Sequence, residues 1–221
     1  MLTHHDATIP NALEVYDEVR DLPLSYVGFK DVGQPVERLT ELARRIHADG
    51  REAMLEVVSE NADDELKSID AARSIGVDWV LGGTHVEAAL ALLDGRDLRY
   101  CPFPGRVTGH PSTLEGTIDE IAQSAQVLTS HEAVSGLDLL AYRYSGDVEA
   151  LVSAVVRSTS KPVIAAGTVN SIERISTLDR LGVWGFTVGG AVFERTFPAQ
   201  PDHRSQLEAI IAAAAGTPSG D

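Results

Sequence analysis

The chain has 221 residues, with 33 acidic against 18 basic side chains and a formal net charge of -15. That balance repels a nucleic-acid backbone and argues against nucleic acid as a partner, and the acidity reads as a solvated helical exterior. No apolar run approaches the roughly 18 to 20 residues of a membrane span, no leader segment is visible, and the one cysteine, Cys101, cannot form an intramolecular disulfide. The expectation is a cytoplasmic protein without membrane association.

Short apolar runs alternate with amphipathic helical patterns at intervals of roughly 20 to 35 residues. Eight strands are read, over Leu2-Thr3, Tyr26 to Asp31, Glu52 to Ser59, Val77 to Thr84, Leu98 to Phe103, Leu137 to Tyr144, Pro162 to Thr168 and Trp184 to Gly190. Between them lie helices such as Val36 to Asp49, where Val36, Leu39, Leu42, Ala43 and Ile46 share one face. Ser112 to Glu115 and Ser171 to Arg174 resemble helix entries, and Gly50, Gly76 and Gly182 stand where helices should end. Strands alternating with helices favour a parallel sheet, so the expected fold is α/β, a single (βα)8 TIM barrel over residues 1 to 215 with a short first strand and a flexible tail over 216 to 221. An open doubly wound sheet is the alternative, because so little chain precedes His4.

Chemistry in such a barrel sits at the carboxyl ends of the strands. The first strand runs into His4-His5-Asp6, which puts two imidazoles and a carboxylate at the mouth; Asp6 or His5 is expected to carry a proton, in preference to a metal site. On the second strand Val27 and Phe29 face the helices, so Gly28 and Lys30 face inward; by the same alternation Glu56 on the next strand points inward beside Lys30. Lys30 is the one lysine of three at this face. Burial that lowers its proton affinity would make it a base, an electrophile or a Schiff-base amine, and the alternative is a structural ion pair with Glu56. His85 follows the fourth strand where a helix begins, either to polarise a carbonyl or to sit on the rim as a cap partner.

After the fifth strand, Pro102 to Pro111 forms a loop in which Arg106 and His110 are expected to touch substrate or else to brace the rim. Cys101 reads as a packed small hydrophobe. The sixth strand ends in Ala141-Tyr142-Arg143-Tyr144, where one of Tyr142 and Arg143 should point inward, the guanidinium suiting a carboxylate or hydroxylated chain. The last two strands end in glycines, Gly167-Thr168 and Gly189-Gly190, which let backbone N–H groups approach an anion closely, so a phosphorylated small molecule is the expected partner.

These last two strand ends, Ala166-Gly167-Thr168 and Val188-Gly189-Gly190, resemble those of the ribulose-phosphate-binding barrel superfamily. The resemblance implies a phosphate held at Gly167, Thr168, Gly189 and Gly190, and isomerisation, epimerisation, decarboxylation or aldol cleavage of a sugar or sugar acid. Gly28-Phe-Lys30-Asp31-Val-Gly33 is similar to the lysine-bearing strand of the orotidine-phosphate and ketogulonate-phosphate decarboxylases, but their Asp-x-Lys-x-x-Asp spacing is absent. Glu56 to Ser59 stands where pentulose-phosphate epimerases carry a histidine, and Arg143 stands near the place of the Schiff-base lysine of class I aldolases. The expectation is therefore an isomerase/epimerase or lyase without cofactor or metal, in which homo-oligomerisation is left open. A non-catalytic phosphometabolite sensor and a phosphoribosyl isomerase of amino-acid biosynthesis are the alternatives.

Overall fold

In the computed structural model, residues 1–59, 61–95, 97–109 and 111–216 are described. Thr3–His4 (β1) and Ala7–Thr8 (β2) form a small antiparallel hairpin, followed by helix α1, Ala12–Val19. Four parallel strands come next, Tyr26–Lys30 (β3), Glu52–Val57 (β4), Trp79–Gly82 (β5) and Arg99–Cys101 (β6). Helices Val36–Ala48 (α2), Ala62–Ile75 (α3) and Val86–Leu93 (α4) separate them. An antiparallel hairpin, Arg106–Thr108 (β7) with Thr113–Glu115 (β8), precedes helix α5, Ile118–Ser130. A second parallel sheet comprises Leu137–Leu139 (β9), Val163–Ala165 (β10) and Gly185–Phe186 (β11). Helices Val148–Ser158 (α6), Ile172–Arg180 (α7), the short Gly190–Phe193 (α8) and His203–Ala215 (α9) complete the order.

Backbone bonds join the two parallel sheets at both seams. At one, Ser135 N–H donates to Tyr100 O (2.8 Å) and Asp138 N–H to Pro102 O (3.1 Å). At the other, the Met1 amine donates to Val188 O (2.8 Å) and Leu2 N–H to Gly28 O (2.7 Å), so these residues take the place of the short first strand. The fold is the expected α/β TIM barrel.

The alternation read from the sequence is realised. Val27, Phe29, Leu55 and Val57 pack outward with Leu39, Leu42 and Ile46 of α2, while Met54, Trp79, Leu81, Cys101 and Ile164 form a separate cluster that fills the interior. Burial pushes the Cys101 thiol well up, which suits an inert packed side chain. Helix punctuation mostly falls as expected: α2 ends with Asp49 as its C-cap, Gly76 caps α3 at φ 82°, and the Ser171 side chain accepts from Arg174 N–H at the start of α7.

Three expectations are corrected. Ser112 to Glu115 opens no helix; Thr113–Glu115 is β8 itself, and helix α5 begins at Ile118 after a capping box of Thr117 and Glu120. The sixth barrel strand stops at Leu139 and gives way to a 3-10 turn, Ala141–Arg143, so residues 140 to 144 are not strand. The last strand is limited to two residues because Gly189 and Gly190 are already the entry to α8. Residues 217 to 221 of the expected tail lie outside the described residues.

Candidate active site

The β1–β2 hairpin has a two-residue loop, His5-Asp6, with both residues left-handed at φ 50° and 56°. A two-residue loop demands such angles, and histidine and aspartate tolerate them better than most side chains. The turn delivers Asp6 to the carboxyl end of β3. There Lys30 Nζ donates to Asp6 Oδ1 at 2.9 Å and lies 3.3 Å from Glu56 Oε1. Thr8 fixes the same place from the side: its hydroxyl accepts from Lys30 N–H and donates to Lys30 O, both at 2.8 Å. Lys30 and Glu56 are 6% and 7% exposed, so this cluster is nearly dry.

Burial by itself pulls the Lys30 ammonium towards deprotonation, but Glu56 and Asp6 more than reverse it and hold the pKa above the ordinary lysine value. This overturns the expectation of lowered proton affinity. The resting site carries an ammonium between two carboxylates, which is suited to stabilising negative charge and giving up a proton, and ill suited to attacking a carbonyl.

A cavity of about 340 Å³ opens above the cluster. Its floor and wall include Lys30, Glu56, Asp6, His5 and Arg143, and its far side is made of Gly167, Thr168, Asn170, Gly189 and Gly190. Gly167 (φ 79°) and Thr168 (φ 55°) are left-handed, and a side chain on Gly167 would meet Arg143 Cγ at 2.6 Å. Gly189 is the N-cap of α8, its carbonyl accepting from Val192 N–H at 3.0 Å, and a side chain there would collide with Thr3 Oγ1. The glycine-bearing strand ends at 167–168 and 189–190 thus line the cavity. Arg143, on the 3-10 turn, reaches to 3.7 Å from Asp6 Oδ1 while its buried Nε makes no hydrogen bond; Tyr142 instead stacks under Arg174.

Two expected site residues stand apart. His85 Nδ1 is 2.8 Å from Oε2 of the fully buried Glu65, which also accepts from Thr84 N–H and His85 N–H, so His85 belongs to a cap at the start of α4 and does not line the cavity. Arg106 pairs with Glu115 Oε2 at 2.7 Å along the β7–β8 hairpin, largely exposed. The tip of that hairpin nevertheless reaches the mouth through Pro111 and Ser112. His110 lies outside the described residues.

The sequence reading missed Asp138. It sits on β9, fully buried, with neither carboxyl oxygen hydrogen-bonded. Burial, reinforced by the charge of Glu56 and opposed by Lys30, drives its pKa well above the usual carboxylate range, so the group is held as a neutral acid below its raised pKa. The available signal was a lone carboxylate in the apolar run Gly136-Leu-Asp138-Leu-Leu140. A second, more apolar cavity of about 500 Å³ lies in the wall between β3 and β11, and neither Lys30 nor Gly167, Gly189 or Gly190 lines it. Among the described residues no cluster of histidine, cysteine or carboxylate side chains could hold a metal ion, and no helix is long and apolar enough to cross a membrane.

No protein-family model and no curated protein sequence matches the chain. Solved structures do. The chain is similar to an orotidine 5'-phosphate decarboxylase from Pyrococcus horikoshii OT3 (TM-score 0.66, 16% identity, covering 93% of this chain and 94% of that one). It is similar to mandelate oxidase with benzoyl-formic acid (TM-score 0.67, 14% identity, 97% and 71% covered). It is also similar to a protein assigned as a deoxyribose-phosphate aldolase from Coccidioides immitis (TM-score 0.61, 14% identity, 83% and 77% covered). At such identities the likeness establishes the barrel, the fold that the resemblance in the strand ends implied.

Proposed function

We propose that the chain is an enzyme of carbon-acid chemistry on a phosphorylated sugar or sugar acid, acting as an isomerase or epimerase or as an aldolase- or decarboxylase-type lyase. The observation that carries this reading is the Lys30 ammonium, held between Asp6 and Glu56 on one side of a cavity whose other side is the glycine backbone of residues 167–168 and 189–190. Backbone N–H groups bind the phosphate, and that remote contact supplies binding energy without taking part in the chemistry.

Removing a proton or a carbon substituent next to a carbonyl leaves negative charge on the substrate. Lys30 stabilises that charge and can return a proton to carbon, while Glu56 and Asp6 keep it protonated and are the bases available to accept one. Arg143 faces the hydroxylated or carboxylated remainder. His5, exposed at the turn, stands at the cavity rim as a second proton carrier. Schiff-base formation requires Lys30 to lose its proton first, which the two carboxylates oppose.

The test is incubation with phosphorylated aldoses, ketoses and sugar acids in heavy water, followed by mass spectrometry of the carbon skeleton. Deuterium uptake or carbon–carbon cleavage that disappears in Lys30→Met supports the reading. Phosphorylated ligands that bind with neither outcome would make the barrel a sensor, and a borohydride-trapped adduct on Lys30 would overturn the ammonium role.

A further inference from the structure

We propose that His4 is a further phosphate ligand of this site, and that Glu194 is an internal carboxylate holding the anion end of the cavity until phosphate displaces it. The inference rests on the phosphate reading given above and adds two side chains to a cradle otherwise made of backbone.

His4 leaves the hairpin just before the left-handed turn, and its ring is fixed from two sides, by the His5 ring at 3.7 Å and the Phe193 ring at 5.9 Å between centroids. The free edge of the imidazole is turned to the cradle: Cδ2 stands 3.5 Å from where a Cβ on Gly190 would be. Nε2, on that same edge, is shielded from solvent and has no hydrogen-bond partner. A buried ring nitrogen left in this state lacks one favourable bond, and an acceptor entering the cavity beside Gly190 would provide it.

The acidic group facing that nitrogen is Glu194, with Oε1 at 3.4 Å from Nε2. Glu194 ends α8, its N–H bonded to Gly190 O at 2.8 Å, and the carboxylate folds back so that Oε1 is 3.5 Å from the same Cβ position on Gly190. Imidazole and carboxylate therefore converge over the one glycine at which a phosphate is expected, and both line the cavity. A carboxylate there repels an incoming dianion. The two groups differ in freedom: the Glu194 side chain is 54% exposed and can rotate outward, whereas His4 is held between two rings. Phosphate binding then turns Glu194 outward and gives Nε2 the hydrogen bond that the carboxylate, 3.4 Å away, does not make, and the site discriminates against ligands too weakly charged to displace Glu194.

The experiment is calorimetric titration of inorganic phosphate into wild type, Glu194→Gln, His4→Phe, His4→Gln and the double variant Glu194→Gln/His4→Phe at one fixed pH, each checked for native circular dichroism. Removing the competing charge should tighten phosphate about five-fold. In the Glu194→Gln background, His4→Phe, which keeps the ring packing, should weaken it about ten-fold, while His4→Gln, which keeps an N–H, should retain most of the affinity. Unchanged or weaker binding in Glu194→Gln overturns the inference while leaving the cradle standing. Folded wild type and Glu194→Gln that both ignore phosphate would overturn the cradle reading together with this one.

Discussion

Replacing Asp138 by asparagine tests the electrostatics of the interior without touching the cavity lining. Asp138 is fully buried, neither of its oxygens is hydrogen-bonded, and burial and Glu56 together raise its pKa well above the carboxylate range. The sign follows directly. In the unfolded chain the group ionises near its ordinary value of about 3.9, while in the folded chain it keeps its proton, so above about pH 4 the folded state binds more protons and stability falls as pH rises. The loss is about 1.4 kcal/mol for each pH unit between the unfolded and folded pKa values. Asparagine has nearly the same shape and no proton to lose, so that slope disappears. Urea denaturation of both proteins at half-unit steps upward from about pH 4.5 should show the variant gaining on wild type by about 1.4 kcal/mol per unit over the window between the unfolded and folded pKa values. Two stability curves that run parallel through it would refute the assignment of Asp138 as a neutral buried acid.

Lys30→Met leaves Asp6 and Glu56 facing each other without their cation and should cost about 3 to 5 kcal/mol, measured by urea denaturation at pH 8. Because the Lys30 pKa is raised in the fold, its contribution is complete below the unfolded value of about 10.4 and is lost as pH rises through the folded value, so the gap between wild type and variant should stay flat from pH 7 to 9 and narrow in stronger base. Gly167→Ala forces a side chain into a left-handed residue and against Arg143 Cγ, and should cost about 1 to 2 kcal/mol while weakening phosphate binding measured by calorimetry. His85→Ala removes one contact of the buried Glu65 and should lower stability by about 1 kcal/mol, with turnover of any substrate found by the heavy-water screen unchanged within about two-fold.

Much of the barrel was legible because one physical rule, the alternation of strand side chains between helix layer and interior, fixes which of Val27, Gly28, Phe29 and Lys30 face inward. The same rule placed Glu56 beside Lys30, and the glycines at 167 and 189 mark backbone packed too closely against Arg143 and Thr3 for a side chain. Arg106 and His85 show where the rule ends. Both follow strands, but their directions are set by partners that local patterning does not encode: Glu115 is nine residues ahead of Arg106 across a hairpin, and Glu65 is twenty residues before His85 on α3. The loop after the fifth strand reads as turn-rich from its prolines and glycines, yet its Arg106 to Glu115 segment is paired strand, because a hairpin this short has little hydrophobic periodicity to display.

The ionisation state of Lys30 was beyond reach for a related reason. A lysine facing a barrel interior beside one carboxylate has two opposed influences acting on it, desolvation and Coulomb attraction, and their balance depends on whether a second carboxylate arrives. Here it does, because His5 and Asp6 accept left-handed backbone angles and fold the β1–β2 hairpin back over β3. The turn thus adds the Asp6 hydrogen bond to the larger Coulomb pull of Glu56, and together they hold the ammonium against desolvation. If the turn were straightened, Asp6 would leave and the Lys30 pKa would fall, with Glu56 still beside the ammonium. The cost of holding two non-glycine residues left-handed, about 1 to 2 kcal/mol each, is offset by the bond from Lys30 to Asp6 that it makes available. A strained turn at the mouth of the cavity is accordingly the element through which the local backbone sets the chemistry of the site.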